Sequence, residues 1–278
     1  MKKLLHLSSL VCLIIMFLNG NAFSSGEQFR TNASGNWNTL SVWQMSTNNG
    51  GTWIAATSPP RDTSGLITVR NPNTVSVTGV VTASSVTIES GASLNAGSTS
   101  GSGTFIYGNI INNGTLTAGS TGGYIRVKGP SLVNNGALQA NGTIYFDTTT
   151  ALSGTGTFTP ANTRFVGNVT LGNSITYSPS SLIAIENNAI LNPNGNVFTF
   201  TSGDIYLVGT GEISVNGTVR TQNSIGIFTD PTSKFNAALN VNTGTTIAND
   251  DASPFTGRLY GNVTIDAGAT LNGGQASS

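Results

Sequence analysis

Charge is scarce in this chain of 278 residues: Lys with Arg number 11 and Asp with Glu number 11, together 8% of the sequence, against about 25% in an average soluble domain. With no basic excess there is no face to displace the counterions of a nucleic acid, so nucleic acid is excluded as a partner. The single histidine, His6, and the single cysteine, Cys12, both fall in the first dozen residues. Helix formers never cluster, and nothing from Glu27 to Ser278 keeps a helical period.

The first 24 residues have the form of a secretory signal. Lys2 and Lys3 precede an apolar run from Leu4 to Leu18, broken only by His6, Ser8 and Ser9, and Ala22-Phe23-Ser24 supplies small residues for cleavage. The run is shorter than the roughly 20 residues of a membrane span. Export with cleavage is therefore expected, with no transmembrane span in the mature chain. Cleavage after Ser24 removes Lys2, Lys3, His6 and Cys12, leaving 11 acidic and 9 basic residues. Without His and Cys the mature chain lacks the commonest proton-transfer group, the commonest transition-metal ligand and any disulfide. No metal and no cofactor are expected.

What the chain has in abundance is Thr, Ser, Asn and Gly, alternating with Val, Ile, Leu and Phe in the manner of strands. Asn112-Asn113-Gly114-Thr115-Leu116-Thr117-Ala118 returns 22 residues later as Asn134-Asn135-Gly136-Ala137-Leu138-Gln139-Ala140. Val86-Thr87-Ile88 through Leu94-Asn95 returns as Val263-Thr264-Ile265 through Leu271-Asn272, 177 residues on, or eight spacings of about 22. Recurring words of this kind predict an all-β, right-handed parallel β-helix of about eight or nine turns. Leu94, Leu116, Leu138 and Leu271 should share an inner stack, with Asn and Gly taking unusual backbone angles at the corners. A β-sandwich is the alternative, since its strands also alternate but need no repeated words. The repeat weakens between residues 160 and 254, where no register can be assigned.

Three divisions follow: a signal at 1–24, a Trp-rich cap at 25–72 and β-helix repeats at 73–278. All three tryptophans, Trp37, Trp43 and Trp53, lie in the second division. A first coil needs such a cover for its apolar end and unpaired strand edge. Tryptophan faces also stack on sugars, which makes the same three residues candidates for carbohydrate binding.

Ser34-Gly35-Asn36-Trp37, Trp43, Thr68-Val69, Thr74-Val75-Ser76-Val77 and Val86-Thr87-Ile88 with Gly91 and Leu94 together resemble the opening of large β-helical surface proteins of Bacteroidota. The likeness covers roughly residues 30–145 and otherwise rests on repeat style. The resemblance implies a β-helical fold and a secreted or cell-surface location, often reached by type IX secretion, among proteins that include both adhesins and polysaccharide-degrading enzymes; polysaccharide or extracellular matrix is the expected partner. The chain closes on Gln275-Ala276-Ser277-Ser278 without a recognisable sorting domain. That ending suggests a fragment, whose uncovered last coil should associate end to end.

For chemistry, Asn249-Asp250-Asp251 offers paired carboxylates of the sort used on glycosidic bonds, though the same residues are turn formers. Arg126 and Lys128 stand two apart on a strand and so project from one face, suited to gripping an acidic sugar or simply to a solvated surface. Two function classes remain. One is a non-catalytic surface solenoid presenting a polar wall to glycans or matrix. The other is a polysaccharide lyase or hydrolase, or its accessory module, acting through Arg126, Lys128, Asp250 and Asp251. Ice binding would need a Thr-x-Thr column, and none persists over successive coils.

Overall fold

The computed structural model describes residues 26–214 continuously and, beyond them, residues 218–221, 225–229, 234–236, 238–241, 246–248, 258–259, 263–265, 267 and 270–272. Its regular structure is strand throughout, apart from one 3-10 turn at Leu40–Val42. No helix among the described residues is long and apolar enough to cross a membrane. The signal segment at 1–24 lies outside the described residues.

Each turn of chain visits three strand positions, and each strand lies parallel to its equivalent in the next turn. Ile67–Val69, Thr74–Ser76 and Val80–Ala83 make the first complete turn, and Val86–Ile88, Ser93–Asn95 and Gly103–Ile106 the second. Ile67 pairs with Val86, Val75 with Leu94 and Val81 with Thr104. The result is a parallel β-helix with three faces, here called first, second and third in chain order. Seven complete turns run from Ile67 to Leu207. The same pairings continue through the later described strands as far as Thr270–Asn272.

Alternation along each strand aims every second side chain into the bore. On the second face Leu94, Leu116 and Leu138 stack in register and are fully buried. Ile106, Val127, Phe146 and Phe165 do the same on the third face. Each such side chain stabilises the fold by roughly 1.5–3 kcal/mol. Successive turns differ in length by up to several residues, with hydrogen-bonded neighbours anywhere from 19 to 24 positions apart. Corners absorb the difference. In the fourth and fifth turns the second and third strands fuse into Ala137–Phe146 and Thr157–Phe165, which bend at a register shift between Ala140 and Thr143.

Three sequence expectations need correction. Leu271 does not extend the Leu94 stack, because Thr270–Asn272 pairs with Thr246–Ala248 on the third face, not the second. Corner residues such as Gly91, Gly154 and Asn188 do take positive φ, but the glycines of the Asn-Asn-Gly words do not, since neither Gly114 nor Gly136 has a positive φ. They serve close approach instead: a Cβ on Gly136 would sit 2.0 Å from the carbonyl oxygen of Gly114, and one on Gly156 2.1 Å from that of Gly136. Asn112 and Asn134 take no unusual corner angles either, since they close the strands Ile110–Asn112 and Ser131–Asn134. Both point inward and are fully buried, with Asn112 Nδ2 donating to Asn134 Oδ1 at 2.7 Å and Asn134 Nδ2 to the Thr157 carbonyl at 2.8 Å.

At the N-terminal end the chain covers its own first turn. Gln28–Thr31 lies parallel on Ile67–Val69, and Trp43–Ser46 then pairs with it antiparallel, followed by Ile54–Ala55. Trp37 and Trp43 meet edge to face at 5.1 Å, both almost wholly buried. Their indole N–H groups donate to the carbonyls of Pro60 and Trp37, at 3.1 and 2.7 Å. These two rings cap the core, as the Trp-rich composition led one to expect. The C-terminal coil, expected to be uncovered and to associate end to end, falls largely outside the described residues.

Candidate functional site

Outward positions differ sharply between the faces. From Ser93 to Thr159 the outward ranks of the second face are Ser93, Thr115, Ala137 and Thr157, and beside them Asn95, Thr117, Gln139 and Thr159. Thr-x-Thr thus recurs at alternate turns, interrupted by Ala137 and Gln139. The first face turns Thr87, Ile111, Val133 and Ser153 outward. Neither set holds a charge or an aromatic ring.

The third face holds both. Its central outward rank is Phe105, Arg126, Tyr145 and Arg164, in register from turn to turn. One rank toward the start of each strand stand Gly103, Tyr124, Thr143 and Asn162. One rank beyond stand Tyr107, Lys128, Asp147, Val166 and Glu186, tied to the turn before by backbone bonds such as Lys128 N to Ile106 O at 2.8 Å. The inward alternates, Ile106, Val127 and Phe146, fix this orientation, because turning the strand over would expose the core.

Within the strip, Arg126 is held from three sides. Its Nη1 donates to both oxygens of Asp147, at 3.1 and 2.9 Å. The guanidinium lies 4.4 Å from the centre of the Tyr145 ring and 5.8 Å from that of Phe105. Asp147 is 9% exposed in this arrangement and Arg126 34%. Further along, Arg164 pairs with Glu186 at 2.9 Å. Lys128 is placed differently. Its Nζ lies 5.3 Å from the Phe105 ring centre and 5.4 Å from that of Tyr107, and no carboxylate among the described residues comes within salt-bridge distance. Tyr124 meets Phe105 edge to face at 5.8 Å and lies over Gly103, where a Cβ would collide with its ring.

The residues singled out from sequence do not converge. Arg126 and Lys128 lie together on the third face. Trp37 and Trp43 are core, so the expectation that they offer ring faces to a sugar does not stand. Trp53 is half-buried near the N-terminal end, with the Arg30 guanidinium 4.3 Å over its ring. Asp250 and Asp251 lie outside the described residues. No group of three or more His, Cys, Asp or Glu able to hold a metal ion occurs among the described residues. Sequence reading missed Phe105, Tyr107, Tyr124 and Tyr145, although alternation alone places each outward beside the inward Ile106, Ile125 and Ile144.

Chemically the strip combines ring edges, phenol hydroxyls and one ammonium on a rigid sheet, in rows about 4.8 Å apart along the solenoid axis. Groups of these kinds can stack on, and hydrogen-bond to, a polar molecule. Comparison with protein-family models, with curated proteins and with solved structures gives no match to this chain.

Proposed function

We propose that this chain is a non-catalytic, exported β-solenoid of the cell surface that binds glycans through its third face, the uncharged first and second faces serving as stem. One observation carries the reading: outward aromatic and charged residues are gathered on one of three faces through the turns from Gly103 to Glu186, while the outward residues of the other two are uncharged and non-aromatic. A stem needs only solubility, which Thr and Ser supply, so segregated Tyr, Phe, Arg and Lys mark the face that meets a partner. Aromatic residues add about 0.5–1.5 kcal/mol per contact beyond area burial.

Export is tested by mass spectrometry of secreted material, whose chain should begin at or near Ser25. Binding is tested by titrating that chain with polysaccharides of defined structure. Tyr145→Ala should weaken binding about 2- to 12-fold, the range those energies correspond to, while Thr115→Ala on the second face leaves it unchanged. Equal losses from both substitutions would refute a third-face site.

A further inference from the structure

From Gly103 to Glu186 the third face carries three cations and two carboxylates. Arg126 is matched to Asp147 and Arg164 to Glu186, which leaves Lys128, in this stretch, as the cation without an acidic partner among the described residues. Asp147 is its neighbour in the outer rank, but both Asp147 oxygens already accept from Arg126. The rings of Phe105 and Tyr107 lie more than 5 Å from the Lys128 ammonium. They steady it while leaving its three N–H donors unused. Tyr107, next to it in the rank, is 45% exposed and brings a phenol hydroxyl.

We propose that Lys128 is the anion-binding subsite of the third face, and that the face takes a linear polysaccharide bearing carboxylate or sulfate groups, laid along the solenoid axis. This rests on the glycan-binding reading above and narrows it to one chemical class. The direction of the ligand follows from the ranks. Phe105 to Ala184 spans four steps of about 4.8 Å, a straight row on the order of 19 Å long. A chain molecule running along that row meets like positions turn after turn, whereas one crossing it leaves the face within a single strand. Charge density decides against a nucleic acid. Duplex DNA presents a charge every 1.7 Å or so, and one unmatched cation on a row of this length cannot answer it. A sugar chain with one acid group near Lys128 and hydroxyls elsewhere matches the supply.

The test uses the exported chain and four immobilised probes: a polyuronate, a sulfated galactan, a neutral galactan of similar length, and single-stranded oligothymidylate. Either or both acidic polysaccharides should bind at least 10-fold more tightly than the neutral one, and the pair tells carboxylate from sulfate. Lys128→Gln should erase that preference and lower the salt dependence by about one counterion, while Lys128→Arg keeps it. Tyr145→Ala should weaken all glycan binding alike. Neutral and acidic galactans bound equally, with Lys128→Gln without effect, would overturn the anionic subsite and leave the glycan reading standing. Oligothymidylate bound more tightly than either acid polysaccharide would replace the proposal with a nucleic-acid site. Failure of every probe would overturn both readings.

Discussion

Tyr177 occupies the position in the second-face stack that Leu94, Leu116 and Leu138 hold earlier, with Phe158 between. Its ring stacks on Phe158 at 5.7 Å and its hydroxyl shares a 2.5 Å hydrogen bond with Thr163 in the buried core. Burial pushes the phenol well above its ordinary value, the Thr163 bond opposing in part. A raised folded pKa means that this contribution is intact below about pH 10, where the unfolded phenol titrates, and is lost as pH climbs beyond it. Stability should therefore fall by about 1.4 kcal/mol per pH unit above pH 10 on account of this residue. Tyr177→Phe should cost about 1–3 kcal/mol at neutral pH, by leaving Thr163 unpartnered, yet flatten the alkaline decline. Urea midpoints at pH 9, 10 and 11 measure both, and parallel declines in the two proteins would show that Tyr177 ionises in place. The same residue explains where sequence reading ran out. Leu-to-Leu recurrence marked the early turns, but from Phe158 onward the inward column becomes Phe, Tyr and Phe, alike in shape and size but no longer the same word.

Strands, in contrast to residues, were legible as units and ambiguous as to face. All three faces ask the same of a strand's inward side, alternate apolar residues, so a word such as Val-Thr-Ile fits any of them. Val86–Ile88 lies on the first face, joined to Ile67 and Ile110. Its distant copy Val263–Ile265 lies on the second face, joined to Leu239 and Val241. The recurrence thus counted turns and misplaced the corner. Over the shorter spacing, where Thr115 pairs with Ala137, the word and the face agree. Nitroxide labels on Thr115→Cys and Ala137→Cys should show strong dipolar broadening, because stacked strands bring these Cα atoms to about 5 Å. Labels on Thr87→Cys and Thr264→Cys, equivalent in the repeat, should show none. The candidate site was half legible for a related reason. Arg126 and Lys128 stood out within one strand, but their aromatic neighbours come from adjacent turns, and only register brings them together.

A solenoid as a whole is held together by neighbours in one dimension, each turn resting on the one before and the one after. The cap therefore guards an end, not the whole. Trp37 and Trp43 close the bore above the first turn, and the antiparallel strands Trp43–Ser46 and Ile54–Ala55 end the first-face ladder. Trp43→Ala removes a fully buried indole and should cost about 3–5 kcal/mol locally. In a globular core that loss would be shared by every amide. Here it should appear in hydrogen exchange as lost protection over Ile67–Val69, Thr74–Ser76 and Val86–Ile88, while Tyr124–Val127 and Thr157–Phe165 exchange as before. Leu116→Asp, which buries an unpaired carboxylate in the middle of the stack, should instead open the turns on both sides of it. Protection falling evenly along the chain in the Trp43→Ala variant would mean that the turns fold as one cooperative block, and that the cap is part of a shared core.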